Sequence, residues 1–77
     1  MKCGIGVTRD PSEKKEQLKE QYAGFANWEI LGEYSMYRAA QKAKFRFAEE
    51  CECRPQREGL IYDGHTGPWY VYHFEVS

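Results

Sequence analysis

The sequence predicts a small α+β domain, in which a mainly antiparallel sheet of three to four strands packs with two helices. Two hydrophobic patterns support this fold class. Residues 2–8 and 27–34 alternate in side-chain polarity with a period of two, as strands do, whereas residues 36–51 repeat apolar side chains at helical spacing. The chain has 77 residues, so we expect a single domain over residues 1–77. The predicted order of elements is β-α-β-α-(β)-β.

The first predicted strand, residues 2–8, has two glycines, which carry no side chain, on one of its faces. Its apolar side chains alternate with Gly4 and Gly6. Glycine weakens a strand, so two glycines on one face indicate that another group approaches the backbone closely. In one interpretation the ring of Tyr70, Tyr72 or another aromatic residue packs flat on this face. In the other, the glycines form the floor of an active site.

The first helix is predicted over residues 11–22. Asp10 is a favourable N-cap, and Glu13 stands at the position that would complete a capping box. The apolar side of this helix is thin, because it consists of Leu18 and Tyr22 at positions i and i+4.

A second strand and a second helix follow. Residues 27–34 alternate, which puts Trp28 and Tyr34 on the same side of the strand. Ser35 is the expected N-cap of a helix over residues 36–51. Alanine and phenylalanine side chains form an apolar stripe along this helix, and basic side chains form a polar one.

The remainder of the chain predicts loops and a central strand. Residues 54–68 are rich in glycine and proline, which indicates turns around a further short strand at "LIY". Residues 69–76, "WYVYHFEV", are apolar on both faces, which is typical of a central strand. If the helices cover only one face of the sheet, several of these aromatic side chains are exposed. If the helices cover both faces, the same side chains form the core.

Composition limits the classes of function. The chain has 11 basic and 12 acidic residues, so nucleic-acid binding would depend on a local patch rather than on overall charge. The sequence shows no secretory signal and no run of roughly 20 apolar residues, so we expect no membrane partner and a cytoplasmic location. An odd number of cysteines, three, then predicts free thiols in a reducing compartment.

The cysteines do not predict a metal or a reactive thiol. The Cys-x-Cys spacing of Cys51 and Cys53 matches no common zinc pattern, so we expect no metal and no cofactor. A thiol nucleophile would need a partner such as His73, but nothing in the sequence brings either cysteine next to it.

A basic patch is the strongest candidate for a binding feature. Three of its members lie one turn apart on the second helix, and neighbouring lysines are expected to add to it. The candidate residues are Lys14, Lys15, Arg38, Lys42, Lys44 and Arg46. Such a patch neutralises backbone phosphates of DNA or RNA without reading their sequence. The alternative is a solvated helix face that neighbouring glutamates balance.

Several short motifs resemble those of the GIY-YIG nuclease domain. They are "GIGVT", "WEILGEYS" and "YRAAQKAKFRF", and the resemblance covers about residues 3–48. The family's first strand does not precede them, but "WYVYHF" is similar to it. The resemblance therefore implies a circular permutation, in which residues 69–76 pair antiparallel with residues 2–8. Tyr72 would then stand at the position of the family's first active-site tyrosine.

The resemblance also implies a degenerate active site. Gly4 stands where the family has its second tyrosine, and Lys14 where it has an arginine. Leu18 replaces a histidine, and Lys44 replaces the glutamate that binds the divalent metal. A lysine repels the metal that a carboxylate would hold, so the resemblance implies loss of hydrolysis.

These observations predict a non-catalytic module that binds nucleic acid through a basic helix face. A second hypothesis is a protein-interaction or homodimerisation module that uses an exposed aromatic sheet face, including Tyr70 and Tyr72. An active nuclease of the GIY-YIG type is the third hypothesis.

Overall fold

The computed structural model describes residues 2–57 and 66–77 of the chain. Within these residues two helices pack on a four-stranded sheet, which confirms the predicted α+β class. The elements are β1 (Lys2–Thr8), α1 (Pro11–Gln21), β2 (Phe25–Met36), α2 (Tyr37–Cys51), β3 (Arg54–Pro55) and β4 (Thr66–Val76). The strand predicted at "LIY" lies outside the described residues. Neither helix of the described chain has the length and apolar character needed to cross a membrane, and the cytoplasmic location stays a prediction.

The last strand lies in the interior of the sheet, whose strand order is β2-β4-β1-β3. β4 pairs antiparallel with both β1 and β2, whereas β1 pairs parallel with β3, so the sheet is mixed. The pairing of β1 with β4 begins with Lys2 opposite Val76 and keeps one register along the whole of β1. The predicted antiparallel pairing of residues 69–76 with residues 2–8 is therefore confirmed.

The two helices cover opposite faces of the sheet. α2 packs on one face in a core of Ile5, Val7, Ala40, Ala43, Ala48, Cys53, Trp69 and Val71. α1 covers the other face, where Leu18 packs with Tyr72 and Phe74. β1, β2 and β3 run parallel to one another, and α1 connects β1 to β2 while α2 connects β2 to β3. The first connection moves along the sheet in one direction and the second moves back in the other. Because both crossovers are expected to be right-handed, the two helices must lie on opposite faces. Aromatic side chains of β4 consequently belong to the core.

β2 departs from the simple alternation that its sequence predicts. Its pairing with β4 has three register shifts between residues 26 and 36. Trp28 packs on the α1 side of the sheet and Tyr34 on the α2 side, so the prediction that they share one side is wrong. The physical reason is that an extra residue in a β-bulge moves all later side chains to the opposite face.

The starts of the helices agree only in part with the predictions. The carboxylate of Asp10 accepts the backbone N–H of Glu13 at 3.1 Å, which confirms the N-cap. In a capping box the Glu13 side chain would accept the backbone N–H of Asp10. Here that N–H donates to Thr8 Oγ1 instead, at 3.1 Å. The N-cap of α2 is Met36 rather than Ser35, because β2 stays extended and paired with β4 up to the residue before the helix.

Candidate functional site

The outward face of α2 carries Arg38, Lys42 and Arg46, which we call the α2 stripe. All three side chains are exposed. They recur every four residues, so successive cations lie about 6 Å apart along the helix axis. Within residues 2–57 and 66–77, no carboxylate oxygen lies within 4.0 Å of their charged nitrogens. The α2 stripe therefore presents positive charge directly to solvent.

An exposed aromatic ring lies on the same face of α2. Phe45 is 54% exposed and follows Lys42 by three residues, which makes the two neighbours on the helix surface. Phe45 was not among the binding residues predicted from the sequence, although a signal was present. Phe45 falls outside the apolar stripe of Ala40, Ala43 and Phe47, which packs on the sheet. An exposed ring beside cations is suited to stacking on a nucleic-acid base.

Lys44 does not extend the α2 stripe. Its side chain is 3% exposed, and its Nζ donates a hydrogen bond to the backbone oxygen of Gln56 at 2.9 Å. The expectation that Lys44 adds to the exposed patch is wrong, because its position on the helix faces the sheet and not solvent. At the position where the GIY-YIG resemblance expects a metal-binding carboxylate, the chain thus has an ammonium group bound to a carbonyl.

The lysines of α1 also lie apart from the α2 stripe. Lys14 and Lys15 are half-buried, and they belong to the helix that covers the opposite face of the sheet. The six basic residues that the sequence suggested as one patch are therefore divided into three groups by the fold.

The paired glycines of β1 lie beneath aromatic rings of β4. Gly4 is opposite Phe74, and Gly6 is opposite Tyr72. A Cβ atom at Gly4 would lie 2.8 Å from the ring of Phe74, and one at Gly6 would lie 2.5 Å from Cζ of Tyr72. These distances are shorter than any real contact of a Cβ atom, so only glycine fits at either position. The interpretation in which rings pack on the glycines is confirmed.

The same packing removes the predicted exposed aromatic face. Tyr72 is 1% exposed, and its ring stacks on that of Trp28 with 5.0 Å between centroids. Tyr70 is half-buried. The prediction that Tyr72 contributes to an exposed aromatic surface is wrong, because α1 and the side chains of β2 cover this face.

Cys3 and Cys53 form a disulfide, with their Cα atoms 4.9 Å apart. The parallel pairing of β1 with β3 puts Gly4 opposite Arg54, so the preceding residues on the two segments lie side by side. The expectation of free thiols is wrong for this pair and holds for Cys51, which is exposed and unbonded.

His73 lies against this pair of cysteines. Its ring nitrogen and the two sulfur atoms all lie within 4.8 Å of one another. β4 places it there, since His73 is opposite Ile5, two residues from Cys3 on the same face of the sheet. Nothing in the sequence links Cys53 to His73, because the three side chains come from distant segments of the chain. Thiolate sulfur and imidazole nitrogen are the ligands that zinc prefers.

A cleft of about 520 Å³ opens beside the disulfide. Its lining includes Cys3 together with the basic residues Lys2 and Arg54. Cys3 is therefore the one member of the Cys3–Cys53–His73 cluster that borders this cleft, which is otherwise lined in part by Tyr22 and Phe74 of the α1 face.

Comparison with family models, curated proteins and solved structures found no match for this chain. The function proposed below is supported by the geometry of the chain's own residues.

Proposed function

We propose that this chain is a non-catalytic module that binds single-stranded nucleic acid through the α2 stripe. The observation that carries the proposal is a row of three exposed cations without a described carboxylate within 4.0 Å. Cations in such a row bind backbone phosphates and supply affinity that is independent of base sequence. The exposed ring of Phe45 favours single strands, because an unpaired base can stack on it.

The α2 stripe sets the expected salt dependence. Each phosphate contact on a single strand contributes about −0.7 to the slope of log affinity against log salt concentration. Three contacts give a slope of about −2.1, so the affinity should fall about 20-fold between roughly 50 and 200 mM salt.

Fluorescence anisotropy with labelled single-stranded and duplex DNA and RNA tests the proposal. Arg38→Glu combined with Lys42→Glu should abolish binding at about 50 mM salt, because it replaces two of the three cations with carboxylates that repel the phosphates. The matched control is Lys14→Glu combined with Lys15→Glu, which changes the net charge equally but on the opposite face of the sheet. Circular dichroism should show that both variants stay folded. Equal losses of affinity in the two variants would contradict the proposal.

Phe45→Ala tests the stacking contribution separately. A base stacked on an aromatic side chain contributes about 1–3 kcal/mol, so this variant should bind single strands at least about 5-fold more weakly. The salt slope should stay unchanged, since no cation is removed. An unchanged single-strand affinity would show that the ring does not contact a base.

We also propose that the scaffold is a circularly permuted relative of the GIY-YIG domain that has lost its chemistry. The pairing of β4 with β1 supports this proposal, because it puts "WYVYHF" beside "GIGVT" as the resemblance requires. The buried ammonium of Lys44 supports the loss of hydrolysis, since it supplies no ligand for a divalent metal. Nucleic acid incubated with the protein and Mg²⁺ or Mn²⁺ should stay intact. Metal-dependent cleavage that disappears in Tyr72→Phe would contradict this proposal.

Homodimerisation is a second candidate function, which the edge strand β2 favours. β2 has 12 residues, exposes Ile30 and Met36, and is an edge strand of the sheet that residues 2–57 and 66–77 form. An open strand edge with apolar side chains is a template for pairing with a second strand. Analytical ultracentrifugation should then show a dimer that Ile30→Lys dissociates, with the exposed α2 substitution Ala39→Lys as control. A protein that stays monomeric at every concentration would exclude this candidate.

A further inference from the structure

We propose that Cys3, Cys53 and His73 bind a zinc ion when their disulfide is reduced. The two sulfurs and the imidazole nitrogen lie within 4.8 Å of one another. In a tetrahedral zinc site, with Zn–S of about 2.3 Å and Zn–N of about 2.0–2.1 Å, neighbouring ligand atoms are about 3.5–3.8 Å apart. The three side chains are therefore gathered in one place, and the two sulfurs, bonded to each other in the disulfide, would have to move apart after reduction to take up this spacing.

The backbone that carries these ligands is held in place without the disulfide. Cys3 lies in β1, where it is paired with Glu75 of β4, and His73 lies two residues earlier in β4. Cys53 follows the end of α2, and its backbone N–H donates to the oxygen of Ala48 at 2.9 Å. None of these backbone hydrogen bonds involves the sulfur atoms, so in a folded, reduced chain the two cysteines face the imidazole.

Access and burial also suit a metal. Cys53 is 8% exposed, whereas Cys3 is half-buried and lines the cleft described above. The ion would thus be shielded on the side of the buried Cys53 and closest to solvent at the partly exposed Cys3 and His73. Three protein ligands leave a fourth position for water, as in zinc sites that are open to a substrate.

The chemistry needs a thiol reductant, such as glutathione, and zinc. Two reductant thiols transfer two electrons and two protons to the Cys3–Cys53 bond, which yields two cysteine thiols and one reductant disulfide. Each cysteine thiol then releases one proton as its sulfur binds Zn²⁺, and the neutral imidazole of His73 donates an electron pair. Exchange with an oxidised thiol such as glutathione disulfide takes two electrons from the two cysteine sulfurs, restores the Cys3–Cys53 bond and yields two glutathione thiolates. This removes two of the three ligands, so the ion is released.

Titration of the reduced protein with Co²⁺, a spectroscopic substitute for Zn²⁺, tests the proposal under anaerobic conditions. The reduced wild type should bind one Co²⁺ and show a sulfur-to-cobalt charge-transfer band together with the bands of tetrahedral cobalt. Zn²⁺ should displace the cobalt, and the oxidised protein should bind neither ion. Absence of the charge-transfer band in the reduced protein would overturn the proposal.

Three variants distinguish the site from unspecific binding by thiols. Cys51→Ser, which removes the exposed cysteine outside the cluster, should bind Co²⁺ like the wild type. Cys3→Ser and His73→Asn should each weaken binding at least about 100-fold, since each removes a direct ligand. Binding that is lost in Cys51→Ser, or retained in His73→Asn, would overturn the proposal. If the reduced chain unfolds, Zn²⁺ should restore its far-ultraviolet circular dichroism, and failure to do so would also overturn it.

Discussion

Replacement of Gly6 by alanine should destabilise the protein by about 2 kcal/mol. The added Cβ would lie 2.5 Å from Cζ of Tyr72, and ordinary contacts begin at 3.4 Å, so the ring would have to retreat by nearly 1 Å. It has no room to do so, because it is 1% exposed and stacks on Trp28 at an interplanar angle of 18°. Overpacking of a core typically costs about 1–3 kcal/mol. In a domain of this size, 2 kcal/mol corresponds to a fall in Tm of roughly 10 °C.

The contact between the ring and the backbone can be isolated with a double-mutant cycle. Urea unfolding would be followed by the tryptophan fluorescence of Trp28, which the ring of Tyr72 contacts, and of Trp69, which is buried in the core on the other face of the sheet. In a Tyr72→Leu background the distal ring atoms are gone, so Gly6→Ala should be neutral or stabilise by up to about 1 kcal/mol, as alanine does in an ordinary strand. An equal loss of stability in both backgrounds, or no loss in either, would refute this account of the glycine.

Three further predictions concern the stability of the α2 side of the sheet. Reduction of the Cys3–Cys53 disulfide, which joins residues separated by 50 positions, should lower the free energy of unfolding by about 4 kcal/mol in urea with a chelator present; an unchanged midpoint would contradict this. Lys44→Met should lower the free energy of unfolding in urea by about 1.5–3 kcal/mol, because it removes a charged donor from the oxygen of Gln56; an unchanged stability would show that this hydrogen bond contributes nothing. Glu52→Gly should raise the stability by about 1 kcal/mol in calorimetry, because Glu52 has a left-handed φ of 56°; a lower Tm would show that its side chain contributes more than this strain costs.

The central pairing of the sheet could be predicted from the sequence, because both of its strands carry strong and complementary signals. Two glycines on one face of β1 require bulky partners, and the aromatic residues of β4 supply them. The N-cap at Asp10 was predictable for a similar reason, since its hydrogen bond is local in the chain. Features of this kind depend on a few neighbouring residues or on one pair of strands.

The α2 stripe was predictable, because its three residues lie on a single helix, but the cluster of Cys3, Cys53 and His73 was not, because it depends on which segments meet in three dimensions. The disulfide arises from the parallel pairing of β1 with a strand of two residues, which has no hydrophobic pattern of its own. The bulges of β2 moved Tyr34 to the side opposite Trp28, although the sequence between them alternates. Burial of Lys44 could be read from its helical phase with Ala40 and Ala48, but its charge suggested an exposed position.

The topology connects the two candidate functions. Because α1 and α2 lie on opposite faces, Lys14 and Lys15 cannot join the α2 stripe, and one copy of the chain offers three phosphate contacts there. Antiparallel pairing of two β2 edges would relate the copies by a two-fold axis perpendicular to the sheet, which keeps both α2 helices on the same face. A dimer of this kind would offer twice as many contacts.

The salt slope of binding therefore distinguishes the two forms. A dimer with two α2 stripes on one strand should give a slope of about −4.2, against about −2.1 for the monomer. Ile30→Lys, which adds a charge to the β2 edge and leaves the α2 stripe intact, should return the slope of a dimer to the monomer value. Measurement of the slope at protein concentrations below and above the dimerisation midpoint provides the comparison. A slope that stays near −2.1 while ultracentrifugation shows a dimer would mean that the two stripes do not share one strand, and that β2 does not pair in the antiparallel arrangement.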